Sequence, residues 1–149
     1  MTQASLAAAL FYRDAWGALA WLEQAFGFER AMVISDADGE LAHSQMTFGN
    51  GYLMIGREWA EFTASPAAVD GRNTQLLHVH LEEDIDAHCA RARAAGAEIL
   101  QEPEDQFYGD RTYRARDPEG HVWTFAMNVR PFSVEESEKA TGLKIEMFS

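Results

Sequence analysis

The sequence predicts an α+β domain of two βαβββ modules, a cupped mixed sheet with helices outside. Three observations lead there. Runs rich in β-branched and aromatic residues flank two short turns, Gly49-Asn50-Gly51 and Asp117-Pro118-Glu119-Gly120. Landmarks recur about 69 positions apart: Gly27 with Gly96, Glu29 with Glu98, Gly51 with Gly120. Each half also carries one helical period after its first strand. A single βαβββ unit leaves one sheet face bare, and two units can bury a shared core.

The elements follow in order. Ser5–Tyr12 is an apolar run of strand length. Asp14 is a helix N-cap, followed by Ala15, Leu19, Leu22 and Phe26 at helical spacing. Gly27 fits a C-cap with positive φ. Phe28–Ser35 reads as a strand, Asp36-Ala37-Asp38-Gly39 as a hairpin turn, and Glu40–Phe48 and Tyr52–Gly56 as the strands that finish the half. Residues 57–73 form a connection with two aromatics, Trp59 and Phe62, read as covers for the core edge. The second half repeats the order: strand Gln75–Glu82, a helix opened by Glu83 and Asp84 with Ile85, Cys89 and Ala92 on its apolar face, Gly96 at its end, strand Ala97–Gln101, loop Glu102–Asp110, then the hairpin around Asp117–Gly120. Ser133-x-x-Glu136 is a capping box, which predicts a short acidic helix over Val134–Thr141. The reading is one domain, 1–149, with modules 5–56 and 74–129 and a C-terminal extension 130–149.

A formal net charge of -12 argues against nucleic-acid and anionic-membrane partners, which reward clustered Lys and Arg. The lone Cys89 cannot form an internal disulfide, which fits a reducing compartment; the expectation is a cytoplasmic protein. Leu6–Tyr12 is too short to span a bilayer. No phosphate loop, dinucleotide fingerprint or nucleophile elbow is present.

Several motifs occur in a meaningful order: Tyr12-Arg13-Asp14-Ala15, Ala25-Phe26-Gly27-Phe28-Glu29, Asp38-Gly39 before His43, Asp86-Ala87-His88, Arg93-Ala94-Ala95-Gly96-Ala97, Glu102-Pro103, Tyr108-Gly109-Asp110-Arg111, and Asp117-Pro118-Glu119-Gly120-His121-x-Trp123-x-Phe125. Together they resemble the vicinal oxygen chelate superfamily, also called the glyoxalase, bleomycin-resistance protein and extradiol dioxygenase group. Uncharacterised glyoxalase-like members are the most similar branch. The resemblance implies a paired βαβββ fold, a homodimer and a small-molecule ligand. It also implies, for enzymes of the group, a divalent metal held by His, Gln or Glu on the first and last strands of each module. The matching positions here are Ala7, Ile55, Leu76 and Thr124, none a strong ligand. A register shift of two puts His78 in such a position. The expectation is therefore no cofactor, with a divalent metal at His78 and His80 as the alternative.

Period-two alternation then assigns a cleft of Phe11, His43, Gln45, Leu53, Ile55, His78, His80, Arg114 and Thr124. Met46, Trp123 and Phe125 point at the helices. His78-x-His80 could serve one ligand or one metal, or be two half-buried histidines bonded to neighbours. Arg114 could grip a carboxylate or phosphate, or form a structural ion pair. His43 is a cleft histidine able to move protons. His88, His121 and Cys89 read as structural, and Asp117–Gly120 as turn geometry. The leading expectation is a glyoxalase/bleomycin-resistance-like protein that sequesters a small molecule without the metal, Arg114 and the histidines holding its anionic or polar end. The alternatives are a metal-dependent lyase, isomerase or dioxygenase, and an interaction protein with a vestigial cleft.

Overall fold

The computed structural model describes residues 4–149; the opening of the single-domain reading, residues 1–3, lies outside them. The order is β1 (Ala8–Tyr12), α1 (Ala15–Phe26), β2 (Glu29–Ser35), β3 (Leu41–Phe48), β4 (Gly51–Arg57), β5 (Leu77–His80), α2 (Ile85–Ala94), β6 (Glu98–Asp105), β7 (Asp110–Arg116), β8 (Val122–Asn128) and α3 (Val134–Thr141). The strands make two four-stranded sheets, ordered β1-β4-β3-β2 and β5-β8-β7-β6. β1 is parallel to β4 and β5 to β8, and all other pairs are antiparallel. The chain is α+β, with one βαβββ unit per sheet.

Local chemistry places the helices. Asp14 Oδ1 accepts from Gly17 N (2.9 Å) and opens α1, and Gly27 closes it at φ 83. Asp84 Oδ1 accepts from Ala87 N (3.1 Å) at the start of α2. Ser133 Oγ accepts from Glu136 N (3.1 Å), so the capping box starts α3 where the sequence predicts. Elements differ in three places: the strand expected over Gln75–Glu82 is confined to Leu77–His80, the connection carries a 3-10 turn at Pro66–Val69, and β6 is longer than expected. Glu102–Asp105 continues β6 and is not loop. β6 is an edge strand with a register shift between Gln101 and Glu104, so Pro103 costs no ladder bond. No helix among the described residues is long and apolar enough to cross a membrane.

Both sheets turn one face toward the helices, and these faces share a single core. Leu10, Met46, Leu53 and Ile55 of the first sheet belong to it, with Tyr113, Trp123 and Phe125 of the second and Leu22, Phe26 and Ile85 of the helices. Polar bonds weld the modules as well. Arg91 donates to the carbonyls of Gln24 (2.8 Å) and Glu23 (2.9 Å), satisfying the end of α1, and Trp21 Nε1 donates to Ala95 O (2.8 Å) at the end of α2. The Asp117–Gly120 turn does more than reverse the chain. Asp117 Oδ2 accepts from Tyr12 Oη (2.7 Å) and Trp123 Nε1 (3.1 Å). The Glu119 carboxylate accepts from Arg13 N (2.6 Å) and Asp14 N (2.8 Å), and His121 Nε2 donates to Phe11 O (2.9 Å). Gly120 sits at φ 96, and a Cβ there would come within 3.0 Å of Pro66 Cβ in the connection.

His88 is the third weld. Its Nε2 lies 2.9 Å from the Phe26 carbonyl, which can only accept, so Nε2 carries the proton. Nδ1 therefore accepts from the Tyr113 hydroxyl. Burial holds this imidazole below its ordinary pKa; the Phe26 carbonyl works in the other direction and the Arg91 charge adds to the lowering. The folded chain thus binds a proton here less readily than the unfolded chain. Its stabilising contribution is complete above the unfolded value of 6.5 and shrinks as pH falls through the window between that value and the depressed one. Urea midpoints measured from pH 8 to pH 5 are expected to fall for the wild type, and to fall less steeply for His88→Leu. Identical slopes would show that His88 does not carry the effect.

Candidate functional site

Because the helix-side faces share one core, the two outer sheet faces look away from it, although Thr112, Val122, Thr124 and Ala126 on the second are themselves buried. On the first sheet, β1 and β4 pair as Ala9↔Met54 and Phe11↔Gly56, and β3 pairs with β4 as Gln45↔Met54. Paired residues share a face, so Phe11, His43, Gln45 and Met54 point outward. Met32 and Ile34 join them through their pairing with Gln45 and His43. A depression of about 210 Å³ lies here, lined by Ala9, Phe11, His43, Met54 and Trp59 among others. Trp59 is 66% exposed and stands edge-on to Phe62 at 5.4 Å, with Phe62 82% exposed. These aromatics do not cover the core edge; Trp59 walls the depression.

On the second sheet a row runs across four strands: Gln101 opposite Arg114, Arg114 opposite Thr124, Thr124 opposite His78. The next row places Thr112 opposite Ala126 and Ala126 opposite His80. Arg114 Nε donates to Thr124 Oγ1 (3.0 Å), which leans the guanidinium toward β5. Gln101 Nε2 donates to Thr112 Oγ1 (3.1 Å), fixing the far side. His78 and His80 are exposed, their rings tilted with centroids 5.1 Å apart. Burial holds His78 below the ordinary imidazole pKa, with His80 and Arg114 lowering it further and Asp110 opposing. Neither histidine bonds to a neighbour and no carboxylate holds Arg114 among the described residues, so the two structural readings of these residues do not describe the fold.

Leu53 and Ile55 are corrections. Both belong to the buried core, Ile55 only bordering the depression at 1% exposure, and Met54 and Gly56 take the outward positions. The cause is loop length. In the first module Phe48 pairs with Gly51 across a two-residue turn, Gly49-Asn50. In the second, Asp117 N bonds His121 O (2.9 Å) across three residues, Pro118-Glu119-Gly120. One extra residue reverses the face of everything beyond it, so a constant repeat offset fails in the fourth strand. No local signal marks this; it follows from comparing the two turn types. The structure thus gathers the remaining candidates in two groups: Phe11, His43 and Gln45 on one sheet, and His78, His80, Arg114 and Thr124 on the other.

The metal implied for enzymes of this fold needs His, Gln or carboxylate donors at outward positions of β1, β4, β5 and β8. Here those positions hold Ala9 and Phe11, Met54 and Gly56, His78 and His80, Thr124 and Ala126. Two imidazoles are the whole donor set. No group of three or more His, Cys, Asp or Glu suited to an ion occurs among the described residues. The residues do not fit that shell.

Comparison with known proteins agrees with the topology. A family model, the Glyoxalase/Bleomycin resistance protein/Dioxygenase superfamily, matches residues 5–125. Rv0887c of Mycobacterium tuberculosis, an uncharacterized protein, is 28% identical over 132 residues, 85% of this chain and 76% of its own. The crystal structure of TioX from Micromonospora sp. ML1 superposes with a TM-score of 0.67 at 32% identity, over 85% of this chain and 99% of TioX. A glyoxalase-related enzyme from Fulvimarina pelagi shares the fold at a TM-score of 0.64 and 18% identity, over 85% of this chain and 89% of its own. The motifs, both modules and a family match over residues 5–125 agree: the chain belongs to the Glyoxalase/Bleomycin resistance protein/Dioxygenase superfamily.

Proposed function

We propose that the protein binds a small organic molecule and sequesters it without chemical change. The observation that carries this reading is the pair of outer sheet faces of unlike character. One offers aromatic and apolar wall from Phe11, Met54 and Trp59 beside His43 and Gln45. The other offers polar groups, Arg114, Thr124, His78 and His80. Ligand sites combine such walls with a few convergent polar groups. A single chain cannot fold one face over the other, since its helices fill the space between. A second copy supplies the opposing wall, so the working form is a homodimer. The lone buried Cys89 suits a cytoplasmic setting.

Light scattering on the purified chain is expected to give a dimer mass at micromolar concentration. Native mass spectrometry against a panel of aromatic natural products is expected to find a ligand retained per site and released unaltered on denaturation. A monomer that retains none of them sinks the reading. The His78–His80 pair supports a second reading, a metal-dependent lyase, isomerase or dioxygenase. Elemental analysis of protein purified without chelator decides between them. Stoichiometric divalent metal that disappears in a His78→Ala, His80→Ala double variant transfers the assignment to the second.

A further inference from the structure

We infer that the outer face of the β5-β8-β7-β6 sheet is an oxyanion site: a carboxylate or phosphate group of the ligand is held by the terminal nitrogens of Arg114 above Thr124 and Ala126, flanked by His78 and His80. This rests on the small-molecule reading above and names the chemistry of one end of that molecule.

The first reason is what happens to the other arginines. The chain is acidic, and six of its arginines, Arg13, Arg30, Arg57, Arg93, Arg111 and Arg116, sit against carboxylates. Arg91 and Arg130 are held by backbone carbonyls. Arg72 lies exposed on the connection. Arg114 is partly buried and meets neither carboxylate nor carbonyl among the described residues. Its one bond, from Nε to a neutral hydroxyl, orients the guanidinium and leaves both terminal nitrogens for an acceptor. A paired fork of N–H donors matches the spacing of two oxygens on a carboxylate or phosphate.

The second reason is the floor and the flank. Thr124 is 6% exposed and Ala126 is fully buried, although both point outward, so taller neighbours stand around them. His78 and His80 stand on one side through their pairing with Thr124 and Ala126, and Arg114 stands on the other. The Thr124 hydroxyl accepts from Arg114 and keeps its own proton to donate upward. Arg114, Thr124 and the imidazoles therefore converge donors on one spot, and the sequence's net charge of -12 gives an anion no other reason to approach.

The third reason is charge coupling. His78 faces His80 on its own strand, and Arg114 and Asp110 on β7. Burial and the two basic neighbours disfavour its protonated form, while Asp110 works against them. An anion placed between His78 and Arg114 reverses that balance and draws a proton onto the ring. Binding then weakens as pH rises and the imidazolium is lost.

The experiment follows the imidazole resonances of the full chain by NMR during titration with inorganic phosphate and, separately, acetate, ionic strength being held with chloride. Saturable shifts of His78 and His80 are expected, with the affinity for acetate, whose charge is constant over the range, falling from pH 6 to pH 8. Stronger binding of phosphate identifies a phosphoryl or phosphonate ligand, and stronger binding of acetate a carboxylate. Arg114→Met is expected to weaken the better anion by about ten- to a hundredfold. Arg114→Lys, which keeps the charge and the fold and loses the fork, is expected to recover part of that. No saturable shift with either anion, or equal affinity in wild type and both variants, overturns the site. If a neutral organic ligand is nevertheless retained independently of Arg114, the oxyanion class alone falls. If the anions bind and no organic ligand is retained, sequestration falls and the site stands.

Discussion

Asp117→Ala is expected to lower the free energy of unfolding by about 3–5 kcal/mol, read as a drop in the urea midpoint at unchanged slope. The carboxylate sits 4% exposed and accepts four hydrogen bonds. Oδ2 takes the Tyr12 hydroxyl and the Trp123 indole, both from side chains buried in the core. Oδ1 takes the backbone N–H of Glu119 (3.1 Å) and His121 (3.0 Å). Alanine leaves all four donors without a partner at a place where water has little access, and each stranded donor costs about 1–3 kcal/mol before relaxation. The Tyr12 bond holds the end of β1 to the second sheet, so the loss crosses the module boundary. Asp117→Asn keeps the shape and one oxygen, and is expected to lose a smaller amount, about 1–3 kcal/mol. A change below about 1 kcal/mol in the alanine variant would mean that the brace is replaced by water.

Phe26→Ala is expected to cost about 3–5 kcal/mol, the range for removing a fully buried aromatic ring. Phe26 ends α1 but packs mostly on the other module. Its ring centroid lies 4.7 Å from Phe125, 5.3 Å from Trp123 and 6.1 Å from His88. Trp21, one helical turn earlier, meets its edge at 5.0 Å. The cavity opens between the helices and the second sheet, where packed strands hinder collapse. Phe26→Leu refills most of that volume and is expected to recover more than half of the loss. Thermal unfolding that splits into two transitions in Phe26→Ala would show that this ring is what makes the modules unfold together.

Much of this architecture can be read from neighbouring residues. Asp14 and Gly27 bracket α1, Ser133 and Glu136 start α3, and the recurrence of Gly27 at Gly96 exposes the duplication. The outward placement of His78, His80, Arg114 and Thr124 follows from alternation once their strands are known. Leu53 and Ile55 show where that logic stops. Both are apolar enough for a ligand wall or a core, and only the two-residue turn at Gly49-Asn50 sends them inward. β6 shows the same limit. Glu102, Pro103 and Glu104 look like loop, yet an edge position tolerates them in a strand.

The sequence by itself determined the module order, the caps and the helices, because each depends on residues within one or two turns of chain. Tertiary structure decided which faces are buried together. It decided that Asp117 would serve Tyr12 across the module boundary rather than only shape its turn, and that acidic partners would reach six arginines while Arg114, among the described residues, meets no carboxylate. Those outcomes rest on distances between residues far apart in the chain. Such distances are set by the docking of two sheets and two helices on one core, and no local pattern encodes them.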